Sequence, residues 1–235
     1  MIKDPFLRYS RQIFIEDIGV NGQRQFTSAK VLVVGAGGLG SPVIQYLAAA
    51  GIGTLAVADF DMVELHNLNR QVIHAEKNVG SPKTASANDF VKSFNSTISF
   101  IPIQMKLTSE NISDTIRPYD IVVDASDNFA TRYLVNDTCV QLNKSLVYGS
   151  IFAHQGQIAV FNYRGSKNLR DVFPEPPSAD DLPDCDSFGV LGALPGIIGS
   201  IMAMQTLQII ANLQPIHNQL IIIDTKNWEF VKLNF

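Results

Sequence analysis

Apolar residues follow two rhythms along the first 150 positions: short continuous runs and longer stretches with a contact every three to four residues. The two rhythms alternate. Val31-Leu32-Val33-Val34 and Leu55-Ala56-Val57-Ala58 are runs of four, ending at Gly35 and Asp59. Unbroken runs of that length suit strands covered on both faces. Ile98 to Ile103 and Ile121-Val122-Val123 predict two more strands, and Leu39 to Ala50, Thr84 to Phe94 and Thr131 to Gln141 have helical spacing. Strand, helix, strand repeated in this way predicts an α/β fold. It would be a Rossmann-like, mostly parallel sheet with helices on both faces and right-handed crossovers, with any ligand beyond the carboxyl ends of the strands.

After Leu146-Val147-Tyr148 the rhythm changes. Ile158 to Phe161, Leu220 to Ile223 and Phe230 to Leu233 predict C-terminal antiparallel strands, the last two joined by a turn around Thr225-Lys226-Asn227, and a helix is expected from about Gly196 to Leu213. Residues 164–186, rich in Pro and Asp, form a connection too long to be passive in a compact domain, so they are either a functional crossover or a mobile segment. The uncharged stretch Phe188 to Met204 has the apolarity of a membrane span. Gly189, Gly192, Pro195, Gly196 and Gly199 interrupt it, and Gln205 and Gln208 follow it, which favours a buried loop and helix.

Composition narrows the classes. The 235 residues suit one α/β domain, and 46% apolar against 17% charged content describes a globular chain. Net charge is -4 with Lys and Arg scattered, so no basic stripe predicts a nucleic-acid partner. Met1-Ile2-Lys3-Asp4-Pro5 leads into no apolar secretory core, and a cytoplasmic protein without a membrane anchor is expected. The two cysteines, Cys139 and Cys185, form no Cys-x-x-Cys pair, and a reducing compartment argues against a bridge between them. Cys139 belongs to an amphipathic helix and is expected in the core.

The candidate chemistry starts at Gly35-Ala36-Gly37-Gly38-Leu39-Gly40. Gly35 suits a sharp exit from a strand, Gly37 a close approach to phosphate and Gly40 tight packing of the next helix, whose N-terminus offers free N–H groups to an anion. Asp59, at the end of the second strand, is placed to accept hydrogen bonds from ribose hydroxyls. Those features alone also suit an NAD(P)-dependent oxidoreductase, or glycines that serve packing only. Asn67, Arg70, Gln71 and Lys83 then follow within one loop and the start of the next helix, where they could converge on a triphosphate and neutralise a leaving pyrophosphate. Asp127, just beyond the strand ending at Asp124, is a candidate oxygen ligand for Mg2+. Taken singly, Arg70 and Lys83 are equally readable as solvated surface charges, and Asp127 as the N-cap of the helix that starts at Phe129.

These residues, with Arg8 to Gln12, Gly80-Ser81-Pro82-Lys83, Asp124 to Asn128, Phe173 to Pro177 and Cys185 followed by Gly189 to Gly192, resemble the ThiF/MoeB/HesA family over nearly the whole chain. These are bacterial relatives of ubiquitin-activating enzymes. The resemblance implies one adenylation domain over 1–235, with an N-terminal helical arm (about 1–28), a nucleotide-binding core (about 29–150) and a carrier-binding antiparallel part with the crossover loop (about 151–235). It implies a homodimer that uses ATP and Mg2+ to adenylate the C-terminal glycine of a small ubiquitin-like sulfur-carrier protein ending in Gly-Gly, of the ThiS or MoaD type, for thiamine-thiazole or molybdopterin biosynthesis. Nucleotide contacts are implied for Gly35, Gly37, Gly38, Gly40, Asp59, Asp61, Asn67, Arg70, Gln71 and Lys83. Catalytic roles are implied for Arg70, Lys83 and Asp127, the last as Mg2+ ligand, and for Arg11 reaching into the neighbouring subunit's site. A carboxylate is already ionised at neutral pH, so its attack on phosphorus needs positioning and charge neutralisation more than a base, and no Ser-His-Asp set is present.

Cys185 is implied as the residue that links covalently to the carrier. Its neighbours Asp184 and Asp186 would raise the thiol pKa, so a bystander thiol is the alternative. The chain departs from the family pattern where many members bind structural zinc through two Cys-x-x-Cys pairs. The first pair would fall near Asn168 and Asp171, and no cysteine follows Cys185, so no structural zinc is expected. With no rhodanese-like region before Phe235, the sulfur donor is expected to be a separate protein. A non-catalytic dimeric binder of a ubiquitin-like protein is the remaining alternative.

Overall fold

In a computed structural model, residues 5–177 and 189–235 are described. The first strand explains the layering. In β1 (Lys30–Val34), Val31 and Val33 face one side of a sheet while Leu32 and Val34 face the other, and all four are at most 3% exposed. Because both faces are covered, the run needs no polar alternation. β2 (Thr54–Ala58), β3 (Ser99–Ile103), β4 (Ile121–Asp124) and β5 (Ser145–Phe152) lie parallel to it, and β6 (Gln155–Phe161), β7 (Gln219–Asp224) and β8 (Glu229–Asn234) continue the sheet antiparallel. The eight strands run in the order β3-β2-β1-β4-β5-β6-β7-β8. This is the expected Rossmann-like sheet with its antiparallel extension.

The helices are α1 (Pro5–Ile13), α2 (Gly19–Ser28), α3 (Gly40–Ala50), α4 (Lys83–Phe94), α5 (Ile112–Ile116), α6 (Phe129–Gln141), α7 (Leu169–Val172) and α8 (Ala193–Ile210). One face of the sheet is covered by α3, α4 and α8, with Ile44, Leu47, Ile198 and Met202 packed on Val123, Val147, Ile158 and Val160. On the other face α5 and α6 bring Ile112, Ile116, Val135 and Cys139 against Leu32, Val122, Leu146 and Phe161. Cys139 is a buried core thiol, as expected, and burial pushes its pKa up. α8 is long and apolar enough to cross a membrane, but half of it is buried and it packs on α3, β5 and β6.

Two elements escape the apolar rhythm. α5 is a single turn, and α7 lies inside the stretch 164–186. Asn168 and Asp171, where the family pattern places the first cysteine pair, form a reciprocal capping box for α7. The Asn168 side chain accepts from Arg170 N at 2.9 Å, and Asp171 Oδ2 accepts from Asn168 N at 2.8 Å. Leu169 N donates to Asn136 Oδ1 of α6 at 2.9 Å, which ties the beginning of the crossover to the body of the protein. Cys185 lies outside the described residues.

A candidate nucleotide-binding site

The strand order reverses between β1 and β4, and in open α/β sheets the crevice at such a switch point, beyond the carboxyl ends of the strands, is where ligands bind. The glycine turn leaves β1 into this crevice. Gly35 has φ +98°, and a Cβ there would lie 2.7 Å from Ala125 O; a Cβ on Gly40 would lie 2.0 Å from Gly35 O. Only hydrogen fits at either place, so the turn packs against the loop after β4, and α3 starts directly behind it. In its first turn Ser41 and Val43 donate to the carbonyls of Gly37 and Leu39 and Pro42 has no N–H, so N–H groups offered to an anion here belong to the glycine turn up to Gly40.

Both polar groups of Ala36 are held. Its N–H donates to Asp59 Oδ2 at 2.7 Å, and its carbonyl accepts from His74 Nε2 at 3.0 Å. Since a carbonyl only accepts, Nε2 carries the proton, and Nδ1 accepts from Ser86 Oγ at 2.8 Å. Burial pushes the His74 pKa down, consistent with a neutral ring. Asp59 Oδ1 accepts from Asp61 N at 2.8 Å, and burial raises the Asp59 pKa against the lowering effect of these backbone bonds. His74 and Ser86 were not singled out from sequence. The hint available was a lone histidine three residues after Gln71.

The loop from β2 to α4 brings the other candidates to the same crevice. Lys83, only 7% exposed, opens α4 and places Nζ 2.8 Å from Asp61 Oδ2. Arg70 lays its stem beside Gly38, where a Cβ would meet Arg70 Cγ at 3.6 Å, and Nη1 donates to His66 O and Asn69 Oδ1. Asn67 is buried, and its carboxamide oxygen accepts from Glu64 N, shaping the turn. Gln71 is 4% exposed and its Nε2 would lie 3.6 Å from a Cβ on Gly37, while its Oε1 is buried with no partner among the described residues. Gly37 beside Gln71 Nε2 and Gly38 beside Arg70 are two side-chain-free positions next to amide and guanidinium donors, an arrangement that fits a phosphate chain better than a packed core.

Asp127 completes the edge from the β4 side. The N-cap of α6 is Asn128, whose side chain accepts from Thr131 N at 2.9 Å, so the capping alternative for Asp127 does not hold. Asp127 is exposed and accepts only a 3.3 Å bond from Asn128 Nδ2 among the described residues. One free carboxylate beside a phosphate cradle matches the way Mg2+ is held, through one or two carboxylates plus phosphate oxygens and water. The described residues contain no cluster of three or more His, Cys, Asp or Glu, so any Mg2+ there would depend on the nucleotide for most of its ligands.

Arg11 is not in this crevice. α1 lies at the far end of α3, where Gln12 Nε2 donates to Ala50 O at 2.9 Å and the Tyr9 hydroxyl accepts from Asn95 Nδ2 at 2.9 Å. The 11 residues of α3, at about 1.5 Å each, separate that end from the glycine turn. Arg11 is exposed and has no hydrogen-bond or ion-pair partner among the described residues.

With this geometry in view, comparison with known proteins is decisive for kinship: the ThiF family matches residues 9–234. The chain belongs to the ThiF family. A Thermus thermophilus protein named sulfur carrier protein adenylyltransferase is 43% identical over 237 residues, covering 98% of this chain and 88% of that protein. The Anopheles gambiae protein named adenylyltransferase and sulfurtransferase MOCS3 is 50% identical over 207 residues, covering 88% of this chain and 47% of the mosquito protein. The chain therefore spans about half the length of curated relatives of that kind. Among solved structures, E. coli MccB superimposes with a TM-score of 0.86 at 23% identity, covering 99% of this ThiF-family chain and 71% of MccB, which shows the shared fold.

Proposed function

We propose that this chain adenylates the C-terminal glycine carboxylate of a small ubiquitin-like sulfur-carrier protein, of the ThiS or MoaD type. The observation that carries the reading is the convergence, at one switch point of the sheet, of the glycine turn, Arg70, Lys83 and an uncommitted Asp127. A dinucleotide cradle needs the turn and Asp59. It has no use for two cations and a free carboxylate on the opposite wall. The names of the Thermus and Anopheles relatives point the same way.

In this reading the glycine turn and the start of α3 hold the phosphates, Asp59 the ribose, and Asn67, Arg70, Gln71 and Lys83 the triphosphate. The carrier carboxylate forms a bond to the α-phosphorus while the bond from that phosphorus to the bridging oxygen breaks and pyrophosphate leaves. Arg70 and Lys83 neutralise the charge that builds on it. Lys83 is held ready by Asp61, with which it forms an ion pair at 2.8 Å. Mg2+ held by Asp127 would supply further neutralisation of phosphate charge.

The carrier meets the antiparallel half of the sheet in this account, where β8 is, among the described residues, a free edge with all six of its residues exposed. Two copies of the chain form the working unit. Arg11 is too remote to serve its own cradle, and Leu7, Ile15 and Val20 of the helical arm are exposed at 68%, 53% and 47%. The setting is the cytoplasm, in thiamine-thiazole or molybdopterin biosynthesis, with a separate sulfur donor and Cys185 as the candidate for a covalent link to the carrier. ATP–pyrophosphate exchange is expected only in the presence of a carrier ending in Gly-Gly. No exchange with any cognate carrier, together with NADH binding, would replace this reading with the oxidoreductase one.

A further inference from the structure

Every polar group of Ser126 is taken. Its N–H and its hydroxyl both donate to Asp124 Oδ1, at 3.0 and 2.6 Å, and its carbonyl accepts from Arg132 Nη2 at 2.7 Å. Arg132 is only 5% exposed. Its Nη1 donates to Gly149 O of β5 at 2.7 Å, and its guanidinium sits 5.1 Å from the centre of the Tyr148 ring. Behind that carbonyl, Met202 of α8 fills the space a side chain on residue 149 would need, with Sδ 2.1 Å from a built Cβ. One guanidinium thus ties α6, the loop after β4 and a strand braced by α8 into a single unit.

The arrangement is costly. Asp124 is fully buried, and its Oδ2 has no hydrogen-bond partner among the described residues. Burial pushes its pKa up, and the positive charge of Arg132 is the largest influence pulling it back. A loop that served only to connect β4 to α6 has a cheaper solution in the Asn128 cap it already carries. What the extra network fixes is the peptide between Ser126 and Asp127, the step from which the free carboxylate is launched.

We propose that Arg132 and Asp124 are positioning residues that clamp Ser126 and thereby hold the Asp127 carboxylate at the phosphate cradle, set for a divalent cation. The inference rests on the reading of the crevice as a MgATP site. Neither residue touches nucleotide or cation. Arg132 acts through a main-chain carbonyl and Asp124 through the serine, so their loss is felt in cation-dependent binding rather than in contacts to the phosphates.

The test compares the wild type with Arg132→Lys and Ser126→Ala by calorimetric titration with ATP, once with Mg2+ and once with the metal chelated. Lys keeps the charge but not the fork that reaches two carbonyls. Arg132→Lys is expected to weaken MgATP binding about tenfold, in the range seen when outer-shell partners of metal ligands are removed. Metal-free ATP should bind it as it binds the wild type. Ser126→Ala, which removes one hydroxyl and leaves the main-chain N–H bond to Asp124 Oδ1 in place, should move MgATP affinity in the same direction by a smaller factor. A folded Arg132→Lys protein with unchanged MgATP affinity, or with both forms of ATP weakened alike, overturns the frame. If Arg132→Lys does not fold, unchanged MgATP binding by Ser126→Ala overturns it instead. Wild-type protein that binds neither form of ATP overturns the nucleotide reading itself and the frame's purpose with it.

Discussion

His74 carries its proton on Nε2 because a main-chain carbonyl demands it, and burial holds the ring neutral. The sign of the resulting pH effect follows. An unfolded histidine titrates near 6.5, and the folded pKa lies below that, so the unfolded chain takes up the proton first. Stability from this group is complete above about pH 6.5, falls as the pH drops below it, and levels off under the folded pKa. Urea unfolding at pH 7.5 and pH 5.5 should show a loss in the wild type that is smaller in His74→Gln; an identical loss in both would contradict the assignment. At this scale the sequence disclosed what local spacing can encode. The glycine turn, Asp59, Arg70, Lys83 and Asp127 stand in order along strand ends, so their meeting at one edge followed from the strand pattern. His74 and Arg132 were silent because their partners, Ala36 and Gly149, lie 38 and 17 residues away.

Elements were legible where apolar periodicity is strong and hidden where side-chain hydrogen bonds make the structure. β5 runs on to Phe152, past the point where the apolar pattern fades, because a two-residue turn at Ala153-His154 returns it directly into β6. Ala153 occupies the first central position at φ 51°, a place that favours glycine, so the sequence carried no turn signal. Ala153→Gly should therefore stabilise the protein by about 0.5 kcal/mol, relief of left-handed strain exceeding the entropy that glycine adds to the unfolded chain. A thermal midpoint that falls would count against strain at this turn. α7 is a second case. Arg170 Nε and Nη2 each donate to Asp137 at 2.8 Å, and the Tyr133 hydroxyl shares its proton between the carbonyls of Phe173 and Glu175. The guanidinium beside Asp137 holds that carboxyl below the usual carboxylate range. The pair is half-exposed, so Asp137→Ala should barely change global stability yet speed amide hydrogen exchange at Arg170 to Phe173. Unchanged exchange there would show that the clasp does not hold the crossover.

For the whole molecule, alternation of strand and helix anticipated the parallel half of the sheet and turn-bounded runs its antiparallel half, while the order 3-2-1-4-5-6-7-8 came from the structure. The span-like apolarity of α8 reflects a helix wedged between α3 and the sheet. The distance of Arg11 from its own cradle was invisible in the sequence, because it depends on which end of α3 the arm packs against. It sets the prediction at this scale: Arg11→Ala and Asp127→Ala proteins should each lose adenylation with their folds intact. A verified heterodimer of the two should recover part of the activity through its one intact composite site, and no recovery would exclude shared sites. The central claim is that the crevice transfers AMP to a carboxylate. Mass spectrometry of a Gly-Gly-ending carrier after incubation with this protein, ATP and Mg2+ addresses it most directly. The carrier should gain one adenylyl group, released as AMP by hydroxylamine and absent when the terminal glycine is deleted; an unmodified carrier with ATP cleaved to ADP and phosphate would contradict it.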